Sequence, residues 1–460
     1  MTVPSAARLH ASVKHITIAI AELHASIEDL TDQTGLSRLG FMQHYSRAVT
    51  LITQRPNTLP TEVVLICCLL FSACENFQGD SMAGLLHIQG GVKLLREWST
   101  SASLRPSQTI IPQARPSDLI QREIAPILEH IESQISTARN TSSSQRQASS
   151  LITSSTDVTP APGTPPKPSI AEKYETFCTA RDQLNDAIQW ISRALNWDDS
   201  SVFIDPAAST QEATDLLSQW LMAFSKYTPR PGGKHEKEFL RREFLRRECL
   251  IMRAHHRAVS IMVESLSVNS EMVYDQHLDS FKTLLEECSA AAIPPVASAV
   301  SFHFGFSLGL IPPLFLIATR CRDPAIRKEA LAVLRSTHRS EGCWDSCSAA
   351  LIAEYVVEIQ ERGLTVIQSA GDITAFSRLR LVGADVDYAD QQLVLRVARF
   401  PFDGLGSAVE IERISWRTVV GQDRDTVEWV SQRPSIFLHL PDHMFVRGLL
   451  LQSFGLLSFR

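Results

Sequence analysis

Residues Pro312 to Gln360 read PPLFLIATRCRDPAIRKEALAVLRSTHRSEGCWDSCSAALIAEYVVEIQ, and the pattern is that of helices joined at capped corners. Proline removes a backbone donor and clashes with the preceding turn, so Pro312 and Pro313 end whatever runs before them. Leu314 to Cys321 is an apolar helix that closes on Arg320 and Arg322, cations suited to the negative end of a helix dipole. Asp323 caps a second helix, with Pro324 at its first position, where a missing N–H costs nothing. Ile326, Ala330, Val333 and Leu334 share one face at helical spacing, which leaves Arg327, Lys328, Glu329 and Arg335 to solvent. Beyond Glu341-Gly342, Asp345 or Ser346 caps a third helix with Ala349, Ile352, Val356 and Ile359 as apolar positions. Trp344 anchors the corner between them. This is scaffold chemistry, without a catalytic geometry.

Working outward, the same helical spacing recurs along most of the 460 residues. Val13, Ile16, Ile20, Leu23, Ile27 and Leu30 form a stripe, and Leu39, Met42, Val49 and Ile52 continue it in a second helix. Val63 to Phe77 is apolar nearly all round and reads as buried. Asp80 caps a fourth helix carrying Leu85, Ile88, Val92, Leu95 and Trp98. Residues 1–98 thus form two helical hairpins. Residues 99–169 are a loop and insertion, with a short helix at about 117–135. Within it, residues 136–169 hold 15 Ser or Thr and 5 Pro, too little apolar surface to order a chain. Residues 170–363 are the main helical part. They open on the stripe Phe177, Leu184, Ile188, Ile191 and Leu195, with helices at about 209–227, 236–267 and 271–291. In the last part, 364–460, the alternation of Leu393, Leu395 and Val397 within 391–400, followed by Val409, Ile411 and Ile414, predicts a short β-hairpin or irregular segment. The final twenty residues are apolar and lack caps. The expected class is all-α, a multi-helix array of packed hairpins.

Composition narrows the function. Apolar residues make up 44%, charged residues 20%, and the formal net charge is −6, so the chain as a whole is not built to coat nucleic acid. Nine cysteines are scattered through helical patterns and read as buried reduced thiols. No signal peptide is evident. Ala290 to Thr319 carries no charge, but its prolines and His303 interrupt it, and Val296 to Ile311 reads as a buried core helix rather than a membrane span.

The candidate sites each have a structural explanation. Lys234 to Arg247 interleaves Lys and Arg with Glu and reads as a solvated helix face, not a one-signed footprint for DNA. Asp198-Asp199 lacks a second acidic group and reads as a helix end. His255 and His256 are adjacent, so they face different directions on a helix and cannot share a metal. Cys343 and Cys347 flank the Trp344 corner, and zinc would need two further ligands. Asp80, Ser81 and His87 lie close in sequence without forming a nucleophile–base pair. No GxSxG, Walker, dinucleotide or HExxH pattern is present. No catalytic, cofactor-binding or metal-binding residue is therefore assigned, and an enzyme is not expected.

Three tracts resemble the regulatory domain of fungal zinc binuclear cluster transcription factors. They are HASVKHITIAIAELH (10–24); LICCLLF (65–71) with ENFQGD (75–80) and LHIQGGVKLL (86–95); and IPPLF (311–315) with CRDP (321–324) and EGCWDS (341–346). The resemblance implies a helical regulatory body and a nuclear or nucleocytoplasmic protein. In that family a six-cysteine cluster holding two zinc ions places a helix in the DNA major groove. Here no cysteine precedes Cys67 and no CxxC occurs, so no residue of this chain inherits DNA binding. The expectation is a regulator acting through protein partners, a cluster-bearing transcription factor or a homodimer, or through a small effector. The alternatives are a helical enzyme or accessory protein of a fungal secondary-metabolite pathway, or a gene model truncated ahead of Met1.

Overall fold

The computed structural model describes residues 3–28, 36–54, 59–78, 81–103, 120, 124, 125, 128, 167–194, 206–228, 236–266, 270–293, 303–305, 309–337, 339–341, 344–387, 392–399 and 409–415. Among them are twelve α-helices: α1 Val3–Leu9, α2 Ala11–Glu28, α3 Leu36–Thr53, α4 Thr61–Phe77, α5 Ser81–Ser103, α6 Phe177–Ala194, α7 Pro206–Ser225, α8 Glu236–Leu266, α9 Leu278–Ala292, α10 Ile311–Arg320, α11 Pro324–Ser336 and α12 Ser346–Glu361. The fold is mostly all-α, as the periodicity predicts. Asp80, the Asp198-Asp199 pair, Cys343, the Ser/Thr/Pro-rich stretch up to Pro166 and the last twenty residues lie outside the described residues.

One apolar cluster is built from α1 to α5. Val13, Ile16, Leu23, Val63, Leu65, Leu69, Phe71, Ile88, Val92 and Leu95 are buried in it, joined by Ile120, Ile124 and Leu128 at four-residue spacing. The stripe expected on α3 is out of phase at its start. Leu39 and Met42 are 60% and 53% exposed, and Phe41 and Ala48 turn inward instead. Helix α3 packs mainly on α2, so one narrow face suffices.

A second cluster gathers α6 to α12 and the C-terminal sheet, with Trp220 its largest fully buried side chain. The Trp220 indole donates to the Ala180 carbonyl at 2.7 Å and stacks on Phe224 and His256. Helix α10 is buried on every side, which matches its lack of a polar face. It begins at Ile311, so Pro312 and Pro313 occupy its first turn, where their missing donors are harmless. The Asp323 carboxylate caps α11 by accepting from Ala325 and Ile326, both at 3.0 Å, a contribution of about 1 kcal/mol. Asp345 caps α12 through the Ser348 N–H at 2.9 Å, and Trp344 packs on Phe315 with ring centroids 5.3 Å apart.

Four expectations are corrected. Arg327 is buried, not solvated, because its guanidinium finds three acceptors beneath α12. The region 296–311 is not one helix: β1 (His303–Gly305) is extended and pairs in parallel with β2 (Arg339–Glu341), which also pairs with β3 (Trp344–Asp345). Residues 271–277 form a 3-10 helix ahead of α9, since Ser270 accepts from the Met272 N–H and tightens the start. The C-terminal hairpin is a three-stranded antiparallel sheet, β4 (Leu379–Asp387), β5 (Gln392–Arg399) and β6 (Val409–Ser415), ordered β4-β5-β6. Leu393, Leu395 and Val397 face inward as their alternation predicts, joined by Leu379, Leu381 and Ala384 of the unanticipated β4. No helix among the described residues is long and apolar enough to cross a membrane.

Candidate functional site

The most unusual chemistry lies inside the second cluster, where one carboxylate faces several arginines. Ser270 turns the chain so that Glu271, the first residue of the 3-10 helix, points inward. At the end of α10, Cys321 is extended, and residues two apart in an extended chain share a side. Arg320 and Arg322 therefore reach the same carboxylate. Arg320 Nη1 donates to Glu271 Oε2 at 2.5 Å and Arg322 Nη2 to the same oxygen at 3.3 Å. The same two-residue step at the start of β4 aligns Arg378 and Arg380. Arg380 Nε donates to Glu271 Oε1 at 3.1 Å, while Arg378 grips Asp275 with both terminal nitrogens, at 2.8 and 2.7 Å. Arg378 also donates to the carbonyls of Glu271, Ala370 and Ile373. Arg327 lies alongside, donating to Cys321 O, Gln360 Oε1 and Glu361 Oε1.

Burial would raise the Glu271 carboxyl, but the charges of Arg320, Arg322 and Arg380 outweigh it and hold the group down at about 2. Burial dominates for Arg322 and pulls it to about 10, with Arg327, Arg320 and Arg378 adding repulsion against the pull of Glu271. In the opposite sense, Glu271 outweighs burial at Arg320 and raises it. Five guanidinium groups, on Arg320, Arg322, Arg327, Arg378 and Arg380, thus meet three carboxylates, on Glu271, Asp275 and Glu361. Three buried donors, Arg320 Nη2, Arg322 Nε and Gln360 Nε2, have no acceptor among the described residues. Sequence reasoning placed Arg320 and Arg322 as helix-end cations and missed Glu271, Asp275, Arg378 and Arg380. Their only signal is charge at the edge of apolar runs.

A second polar joint seats the start of α10. Glu341 accepts from the Leu310 and Ile311 N–H groups, each at 2.9 Å, and pairs with Arg339. It supplies the negative charge that a helix N-terminus attracts. His255 Nε2 lies 2.6 Å from the Gly309 carbonyl and His256 Nε2 3.0 Å from that of Leu217, so the adjacent histidines point apart as expected. Burial holds them near 3 and 4 respectively, against a reference of 6.5. The unfolded chain therefore takes up two protons near pH 6.5 that the folded chain refuses until far lower. Stability is expected to fall as pH drops from 6.5 toward 4, by about 1.4 kcal/mol per pH unit for each histidine. Urea unfolding at pH 7 and pH 5 checks this, and equal stability at the two would contradict it.

The other singled-out residues serve packing. His87 stacks on Phe71 at 5.2 Å, and its Nε2 stands 3.8 Å from Glu75, which also accepts from the Tyr45 hydroxyl. The two short tracts ENFQGD and LHIQGGVKLL thus meet through Glu75 and His87. In the basic run, Arg246 pairs with Glu243 at 2.7 Å, while Arg247 turns back to cap the end of α9 at the Ala291 carbonyl. Cys347 is buried, and no disulfide joins the described cysteines. No three His, Cys, Asp or Glu side chains among the described residues are grouped to hold a metal.

No family model matches the chain, and no solved structure matches it. Over 44 residues, 10% of its length, it is 44% identical to the Aspercryptin biosynthesis cluster-specific transcription regulator atnN of Emericella nidulans. That stretch covers 7% of the regulator's own length. The chain is therefore similar, locally, to a fungal transcription regulator, which supports a regulatory role.

Proposed function

We propose that this chain is the regulatory body of a fungal transcription regulator, acting in the nucleus through protein partners or a small effector and not through its own contact with DNA. The observation that carries the reading is the local identity to a cluster-specific transcription regulator. The helical architecture is compatible with it. The 460 residues contain no CxxC, so none of them is assigned a zinc-cluster contact with DNA. The non-enzymatic reading is supported by how polar groups are used. Glu271 and Glu341 are committed to buried guanidinium and backbone partners. Burial pushes the Cys67 and Cys74 thiols up to about 12, which leaves almost no thiolate for nucleophilic chemistry.

The test is a tagged protein followed in fungal cells together with a transcript profile of a deletion strain. A nuclear signal and a coherent change in one set of transcripts are expected. Exclusion from the nucleus with an unchanged profile would overturn the reading.

A further inference from the structure

We propose that His15 and His44 form a pH-sensitive joint between α2 and α3, closed at neutral pH and loosened by acid. The joint belongs to the α1–α5 cluster and stands apart from the regulatory reading above. The two Nδ1 atoms lie 2.8 Å apart, and the half-buried rings stack with centroids 5.0 Å apart. Such a contact needs one Nδ1 as donor and the other as acceptor, so it survives one extra proton but not two. A proton on both rings removes the acceptor and sets two imidazolium rings against each other.

The surroundings do not relieve that repulsion. Burial, and then the charges of His44 and Arg47 from α3 and of Lys14 from its own helix, hold His15 below its reference of 6.5. The other elements packed on α2 bring no carboxylate to it. Glu75 of α4 accepts from Tyr45 and stands beside His87, and Glu22 of α2 lies against Gly40 of α3. Neither these nor Glu62 of α4 and Arg8 of α1 are among the charges acting on His15, and Cys67 of α4 faces Ser12 instead. A ring that takes its proton more readily once the joint is open favours opening, so the joint weakens as pH falls below 6.5. Helix α3 keeps a second anchor. Tyr45, next to His44, donates to Glu75 and meets the Phe71 ring edge-on at 5.1 Å. Acid therefore loosens the seam with α2, where Phe41 and Ala48 turn inward, while the contacts of α3 with α4 remain.

The experiment is hydrogen exchange of the full chain, read by peptide at pH 7 and pH 5 and corrected for the intrinsic rate at each pH. On going to pH 5, protection of α2 and α3 is expected to fall about tenfold further in wild type than in His15→Gln, which cannot take the second proton. One proton allows at most about tenfold per pH unit, so the effect is within reach of this pair. Helix α8, which carries His255 and His256, responds to acid alike in the two proteins. If His15→Gln does not fold, His44→Gln removes the same proton. Protection of α2 and α3 that is unchanged in wild type, or that falls as far in the variant, overturns the proposal. So does a difference between the proteins as large in α8 as in α2 and α3, which would report global unfolding. None of these failures would affect the transcript test, so the regulatory reading stands or falls separately.

Discussion

Glu271→Gln is expected to destabilise the protein by about 3–5 kcal/mol, because removing one partner of a buried ion cluster strands the charges that remain. Three guanidinium groups converge on this carboxylate, and two of them, on Arg320 and Arg322, are almost wholly buried. The amide keeps the size of the side chain and part of its hydrogen bonding, so the loss isolates charge from packing. Arg380→Gln is the control. It removes a partner that still reaches solvent and should cost no more than about 1 kcal/mol. Denaturant unfolding of the two variants reads the difference. If Glu271→Gln unfolds with the wild-type midpoint, the cluster is not holding the 3-10 helix, α10 and β4 together.

Gly309→Ala is expected to cost about 3 kcal/mol. A Cβ at this position would overlap the Glu341 carboxylate, closer than nonbonded atoms can stand. Overpacking of this kind costs about 1–3 kcal/mol. Moving the carboxylate would also release the Leu310 and Ile311 N–H groups, at about 1 kcal/mol for a lost cap. The two substitutions should couple: in a Glu341→Ala background the cost of Gly309→Ala should shrink, which a double-mutant cycle measures. Gly90→Ala provides the contrast. Gly90 lies in α5 with nothing within 4 Å of a built Cβ, so alanine there should stabilise by about 0.5–1 kcal/mol. Equal effects at the two glycines would show that helix propensity and not the carboxylate decides.

These two sites show where sequence reading stops. The corners at Asp323-Pro324 and Trp344-Asp345 are legible because a cap needs only residues two or three apart, and both caps form as the sequence predicts. The alternation of Leu393, Leu395 and Val397 is legible for the same local reason. Arg327 is not. Its spacing assigns it to solvent, yet its partners Gln360 and Glu361 stand 33 and 34 residues away. Glu271 meets Arg380 across 109 residues, and Asp275 meets Arg378 across 103. An arginine at the end of an apolar run looks the same in sequence whether it faces water or a carboxylate from a distant segment.

The sequence by itself determined the all-α class, the helix corners, the apolar side of β5 and the tracts that resemble a fungal regulator, because each depends on the period and end chemistry of a single element. Only the tertiary structure decided that Arg320, Arg322, Arg327, Arg378 and Arg380 form one buried cluster with Glu271, and that Glu341 seats the start of α10. The physical reason is that burying a charge is tolerable only once its counter-charge is in place. That condition is met between segments the chain brings together on folding, and no local pattern records it.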